Sequence, residues 1–197
     1  MTTHFNTIAA IGTAEFKDRG SKFVGCAIPV ESAEAFKIVL KDFKKEHPKA
    51  NHHCFAFRIG LDGNNFRVSD DGEPSGSAGR PILGQMDSKE VTNATIIVAR
   101  YFGGTLLGVP GLINAYKTVS ALSLQVIPII QKPVMKQYVL EFDYSALNDA
   151  MQVIKQCGGQ VIAQNQGLFQ EMTIQIPVIN VSLFLSRISD IRRVVVK

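Results

Sequence analysis

At 197 residues the chain can hold one large domain or two small ones, and a hydrophobic content of 46% supplies a core, which excludes a disordered chain. With 21 Lys and Arg against 17 Asp and Glu the net charge is +4, a mild bias towards phosphate-bearing partners. Cys26, Cys54 and Cys157 are odd in number and far apart, which argues against a disulfide framework. With no export signal and no membrane span legible, a cytoplasmic protein with reduced thiols is expected.

The first half reads as a mixed α and β domain. Ile8 to Phe16 and Lys22 to Pro29 flank the turn KDRGS as a hairpin. Ser32 opens a helix in which Phe36, Val39, Leu40 and Phe43 recur at helical spacing, and Pro48 ends it. His53 to Ile59 and Phe66 to Ser69 are strands around LDGNN. The polar segment SDDGEPSGSAGRP follows (69–81), with a short helix near Ile82 to Met86 behind it. Asn93 to Phe102 reads as a buried strand, GGTLLGVPG as a loop and Leu112 to Ile127 as a long helix, so helices are expected on one face of a sheet.

Two prolines in IPIIQKP (127–133) break the helical pattern and divide the chain. Val134 to Tyr144 then alternates like a strand, and Ser145 to Gln156 is a helix stopped by Gly158-Gly159. Gln160 to Gln164 and Leu168 to Ile176 are strands around a Gln-Gly turn, Asn180 caps a helix carrying Phe184 and Ile188, and Ile191 to Val196 closes as a strand. The order β-α-β-β-α-β is the ferredoxin-like arrangement. The class is α+β in two domains, residues 1–130 and 131–197.

Four constellations could carry function. Asp70, Asp71 and Glu73 could hold a metal or move protons, but acids beside Arg80 and Arg100 also make a structural ion-pair network, and that reading is preferred. In NHHC (51–54) the strand period sets His53 opposite His52 and Cys54. At most His52 and Cys54 then share a side, no second ligand pair at zinc spacing appears elsewhere, and a hydrogen bond from one histidine to the acidic loop is the better expectation. In RYFGGTLLGVPGL the loop around Gly103 and Gly104 presents backbone N–H groups to anions, or lets a helix pack closely. Val109-Pro110 stand where a Walker motif needs Lys and Ser or Thr, which excludes that nucleotide site. Lys37 and Lys41, with Lys44 and Lys45, make a basic helix side that could track RNA phosphates or be a solvated face. The tail lacks the aromatic pattern of RNA-recognition sheets, Phe169 being its one aromatic there.

The segments HPKANHHCFAF, SDDGEPSGSAGRPIL and ARYFGGTLLGVPGLINAY, in this order and spacing, together resemble the signature of the IMPACT family, and the two-domain layout resembles its bacterial YigZ-like members. The resemblance implies a first domain of two layers with a ribosomal-protein-like left-handed βαβ crossover, similar to domain IV of elongation factor G. It also implies a second domain similar to domain V of that factor. Eukaryotic relatives carry a further RWD domain and restrain a kinase that phosphorylates an initiation factor. The expectation is a binding protein that engages RNA, the ribosome or a translation factor without a cofactor or metal, through His53, Asp70, Asp71, Glu73, Arg80, Arg100, Tyr101, Gly103, Gly104, Lys37 and Lys41. The rivals are an enzyme acting on a phosphorylated small molecule or nucleotide at the same loops, and a protein-binding adaptor.

Overall fold

The computed structural model describes residues 2–166 and 170–197 and sorts them into two units, Phe5–Lys132 and Pro133–Lys197 with the residues before Phe5. In the first, strands β1 (His4–Ile8), β2 (Gly12–Asp18) and β3 (Ser21–Pro29) precede helix α1 (Ala33–Glu46). Strands β4 (His52–Arg58) and β5 (Phe66–Ser69), helix α2 (Gly79–Ser88), strand β6 (Ala94–Tyr101) and helix α3 (Gly108–Gln125) follow. Strand β7 (Ile129–Pro133) pairs with β1. The main sheet is antiparallel throughout, in the order β2-β3-β6-β4-β5, so β6 lies at its centre although it is the last of the five in the chain.

Side-chain alternation gives this sheet two apolar faces. Phe23, Ala27, Cys54, Ala56, Ile96 and Val98 turn one way, under Ile82 and Met86 of α2 and Leu112, Tyr116 and Val119 of α3. Val24, Cys26, Phe55, Phe57, Ile97 and Ala99 turn the other way and are covered by Phe36 and Phe43 of α1. Helices on one face only, the two-layer expectation, is therefore corrected to helices on both. The reason is in the strands: CFAF in β4 and IIVA in β6 are apolar at every position, and a continuous apolar strand must be covered on both sides. The α+β class stands.

This layering fixes the chirality of the connections. From β3 through α1 to β4 the chain passes over one face, and from β5 through α2 to β6 it passes over the other, stepping the opposite way between strands of opposite sense. Reversing strand direction, step and face together reverses the hand, so one of the two crossovers is left-handed, against the strong general preference. Helix α3 starts four residues earlier than Leu112, because Pro110 sits in its first turn, where a missing N–H costs nothing.

The second unit comprises β8 (Met135–Phe142), a 3₁₀ turn at Tyr144–Ala146, α4 (Leu147–Gln156), β9 (Gln160–Gln166), β10 (Gln170–Pro177), a 3₁₀ turn at Val178–Asn180, α5 (Val181–Ser189) and β11 (Val194–Val196). Its antiparallel order β11-β8-β10-β9 is that of a ferredoxin-like sheet. Leu140, Phe142, Met172, Ile174 and Ile176 face α4 and α5 over Ile154 and Phe184. Asn180 does not cap α5 as expected: a 3₁₀ turn precedes the helix, and the Asn180 amide donates instead to the Cys157 carbonyl at 3.0 Å. The Gln-Gly turn and the start of the strand expected from Leu168, with Phe169, lie outside the described residues. Among the described residues no helix is long and apolar enough to cross a membrane.

Candidate functional site

The polar segments that the sequence singles out gather at one end of the five-stranded sheet. Arg100, near the end of β6, pairs in register with His52 at the start of β4, and His53 pairs with Ala99. The loop after β5 closes over these ends. Glu73 N–H donates to the Asp70 carbonyl at 2.9 Å across a turn whose central residues, Asp71 and Gly72, both have positive φ (42° and 91°). Asp tolerates that region and Gly is at home there, so the turn directs Glu73 inward.

Each acid of the loop has a different task. Asp70 accepts N–H groups from Gly76 (2.8 Å), Ala78 (2.9 Å) and Gly79 (2.8 Å), and so closes the loop and caps the start of α2, which lacks a local side-chain cap. Burial pushes the Asp70 carboxyl up, but the three N–H groups outweigh it and the net shift is downward. A depressed carboxyl contributes stability that is complete above its unfolded value, about 3.9, and is lost as pH falls through the folded value. Asp70→Asn, which turns an amide nitrogen towards N–H groups that the carboxylate accepts, is therefore expected to cost about 1–2 kcal/mol at pH 7, and the gap from wild type should narrow as pH falls below the unfolded value, as read by urea unfolding across the acid range.

Glu73 is consumed by a buried network. Its side chain is 3% exposed and faces an Arg100 side chain 7% exposed. One guanidinium nitrogen of Arg100 donates to both carboxylate oxygens, at 2.7 and 2.9 Å, and the Tyr116 hydroxyl from α3 donates to Oε1 at 2.7 Å. Cys54 Sγ sits 3.2 Å from that hydroxyl and 3.0 Å from the Asp70 carbonyl. Burial pushes the Cys54 thiol up to about 12 and raises the Tyr116 phenol as well, so neither ionises at neutral pH. Arg100 is also flanked by the Phe23 and Phe102 rings, each with its centroid 5.6 Å from the guanidinium carbon.

Asp71 is the outermost of the three acids. Its Oδ2 accepts the backbone N–H of His53 at 2.6 Å, its carbonyl accepts the Nδ1–H of His52 at 2.8 Å, and Lys44 Nζ stands 3.9 Å from Oδ1. The histidine that bonds the acidic loop through its ring is thus His52. His53 turns its Nε2–H to the His47 carbonyl at 3.0 Å, and the His47 ring bonds the Tyr101 hydroxyl at 2.8 Å. Burial lowers the His47 pKa, which keeps that ring neutral at pH 7. Among the described residues no three His, Cys, Asp or Glu side chains converge as a metal-holding group.

The glycine-rich loop divides its two first glycines between two roles. A Cβ on Gly103 would overlap the backbone of Gly20 and Ser21, so this glycine allows the β2–β3 turn and the loop to touch. Gly104 has open space around it and a φ of 86°, and serves the turn itself. Gly103 N–H donates to Ser21 Oγ at 3.2 Å, and Phe102 N–H to Asn51 Oδ1 at 2.8 Å. Beyond these anchors, Phe102 is 45% exposed and Leu106 82%.

The structure brings His53, Asp70, Asp71, Glu73, Arg100, Tyr101 and Gly103 to this end, with Gly104 beside them. Arg80 points elsewhere, its guanidinium 5.9 Å from the Phe66 ring centroid. Lys37 and Lys41 lie exposed on α1, two turns and one turn before Lys44. Tyr116, Ser21 and Asn51 were not singled out from the sequence. For Tyr116 the available signal was its hydroxyl on the apolar stripe Leu112, Ala115, Val119 of α3.

Comparison with known proteins shows the family of the chain. Residues 19–124 match the Impact N-terminal domain. The chain is 33% identical over 175 residues to IMPACT family member YigZ of Escherichia coli, covering 88% of this chain and 86% of that protein. It is 31% identical over 147 residues to IMPACT family member YvyE of Bacillus subtilis, covering 75% and 68%. A crystal structure described only as that of a hypothetical protein superposes with a TM-score of 0.79 at 31% identity, covering 96% of this chain and 93% of that one. With the family domain spanning the sheet end just described and the likeness running through both units, the chain belongs to the IMPACT family, as a bacterial YigZ-like member.

Proposed function

We propose that this protein is a non-catalytic regulatory binding protein of the translation apparatus, present in the cytoplasm, that contacts ribosomal RNA through the end of its five-stranded sheet. The observation that carries the non-catalytic part is the fate of the loop carboxylates. Asp70 accepts three backbone N–H groups and Glu73 is held by Arg100 and Tyr116, so neither has an oxygen left to present to a substrate. Asp71 stays partly accessible, its Oδ2 taken by the His53 N–H and Lys44 near its Oδ1, and the other accessible groups are Lys37, Lys41 and Lys44 along α1, Arg19 and Lys22 beside the β2–β3 turn, and the exposed loop residues after Tyr101.

The open face of the second unit supports assigning RNA contact to the first. Gln137, Gln175 and Gln160 form one cross-strand row there, and Glu141, paired with Lys197, lies directly opposite Glu171, a face with no excess of positive charge among the described residues to draw phosphate. The translation link rests on what the family resemblance implies. The test is co-sedimentation with ribosomes and fluorescence anisotropy with a short single-stranded RNA across a salt series. Wild type is expected to bind with affinity falling steeply between about 50 and 200 mM salt, and the combined Lys37→Ala, Lys41→Ala and Lys44→Ala variant to lower the log–log slope by about 2–3. Wild-type protein that neither sediments with ribosomes nor binds RNA at low salt would remove the assignment.

A further inference from the structure

An aromatic ring at this end is exposed and yet held in place. Phe102 is 45% exposed, so the core has little use for it, but its position is fixed from several directions. Its N–H is tied to Asn51, the next residue is tied to Ser21 and packed on Gly20, and the Arg100 guanidinium lies 5.6 Å from the ring centroid. Arg100 is itself locked by Glu73. A ring presented on a rigid backbone loses little conformational freedom when something binds it.

We infer that Phe102 is the platform on which an unpaired RNA base stacks, an inference that rests on the RNA-binding reading above and locates its contact. Base stacking on an aromatic face is tolerant of sequence, and it needs cations nearby to hold the sugar–phosphate chain. Cations lie on the segments that neighbour the ring in register or in sequence. Lys22 stands opposite Tyr101 in the β3–β6 register, Arg19 precedes the glycine that packs on Gly103, and Lys49 lies two residues before the asparagine that anchors Phe102. Lys22 is shared with Glu15 at 2.6 Å, and Asp18 beside the turn tempers the field. Affinity should therefore depend on the base as well as on charge.

The sequence contains no tryptophan, so Phe102→Trp introduces a single indole at the proposed platform. Twelve-nucleotide oligo(U) and oligo(A) are expected to quench its emission, and inorganic polyphosphate of similar charge is expected to leave it unchanged. Phe102→Ala and Phe102→Leu should each weaken oligonucleotide binding about 10-fold while leaving the salt slope as in wild type, because they remove a stacking face and no charge. Leucine retains apolar bulk, so a loss in both variants reports the aromatic face and not packing. Wild-type affinity in both variants, or equal quenching by polyphosphate, would overturn the inference while leaving RNA binding intact. Absence of wild-type binding would end both. A photo-crosslinking phenylalanine at position 102, irradiated with ribosomes, should attach to ribosomal RNA, and attachment to ribosomal protein alone would also overturn it.

Discussion

Glu73→Ala is expected to destabilise the first unit by about 3–5 kcal/mol, the largest single-site loss anticipated here. The carboxylate and the Arg100 guanidinium are both almost wholly buried, and what makes their desolvation tolerable is each other, aided by the Tyr116 hydroxyl. Removing the acid leaves a buried cation with no counter-charge, a state water cannot relieve without opening the loop over it. Replacing both partners together, as Glu73→Leu with Arg100→Met, should restore much of the loss, since a buried ion pair is commonly worth no more than apolar groups of its shape. Urea unfolding of the two single variants and the double variant measures this directly. A loss below about 1 kcal/mol for Glu73→Ala would show that water reaches the pair.

Gly103→Ala is expected to cost about 3 kcal/mol, for a reason unrelated to backbone conformation. The added methyl would run into the carbonyl of Gly20 and the nitrogen of Ser21, which are backbone atoms of a β-turn and cannot swing aside as a side chain would. Gly104→Ala provides the contrast. Space there is open but φ is 86°, so its cost is that of a left-handed residue, about 1–2 kcal/mol. Thermal unfolding of the two variants should rank them in that order, and the reverse ranking would mean that the two loops do not touch.

Much of this architecture is legible in the sequence, and the misses have identifiable causes. The ferredoxin-like order follows from alternation and helical spacing, which are local. Coverage on both faces of the first sheet was missed because a run such as TIIVA states that a strand is buried without stating by what. That a loop acid pairs with Arg100 was legible, but that only Glu73 does so, and that Asp70 and Asp71 bond elsewhere, was not. Asp70 bonds amides six, eight and nine residues ahead, and Glu73 meets a tyrosine 43 residues away on another helix. Spacing along the chain carries no trace of such pairings. Arg80 was grouped with Arg100 because its motif is adjacent in sequence, yet α2 turns it towards Phe66.

The central position of β6 has a consequence for how the protein comes into being. Until residues 94–101 are available, β3 and β4 have no common neighbour, and the chain can form only two separate hairpins, β2 with β3 and β4 with β5. During synthesis the sheet of the first unit therefore stays in two halves until this strand has left the ribosome, and a fragment ending before Ala94 has no strand pairing to join them. The wedge that completes the sheet also delivers Arg100 to Glu73, so assembly of the fold and neutralisation of the buried acid are one event.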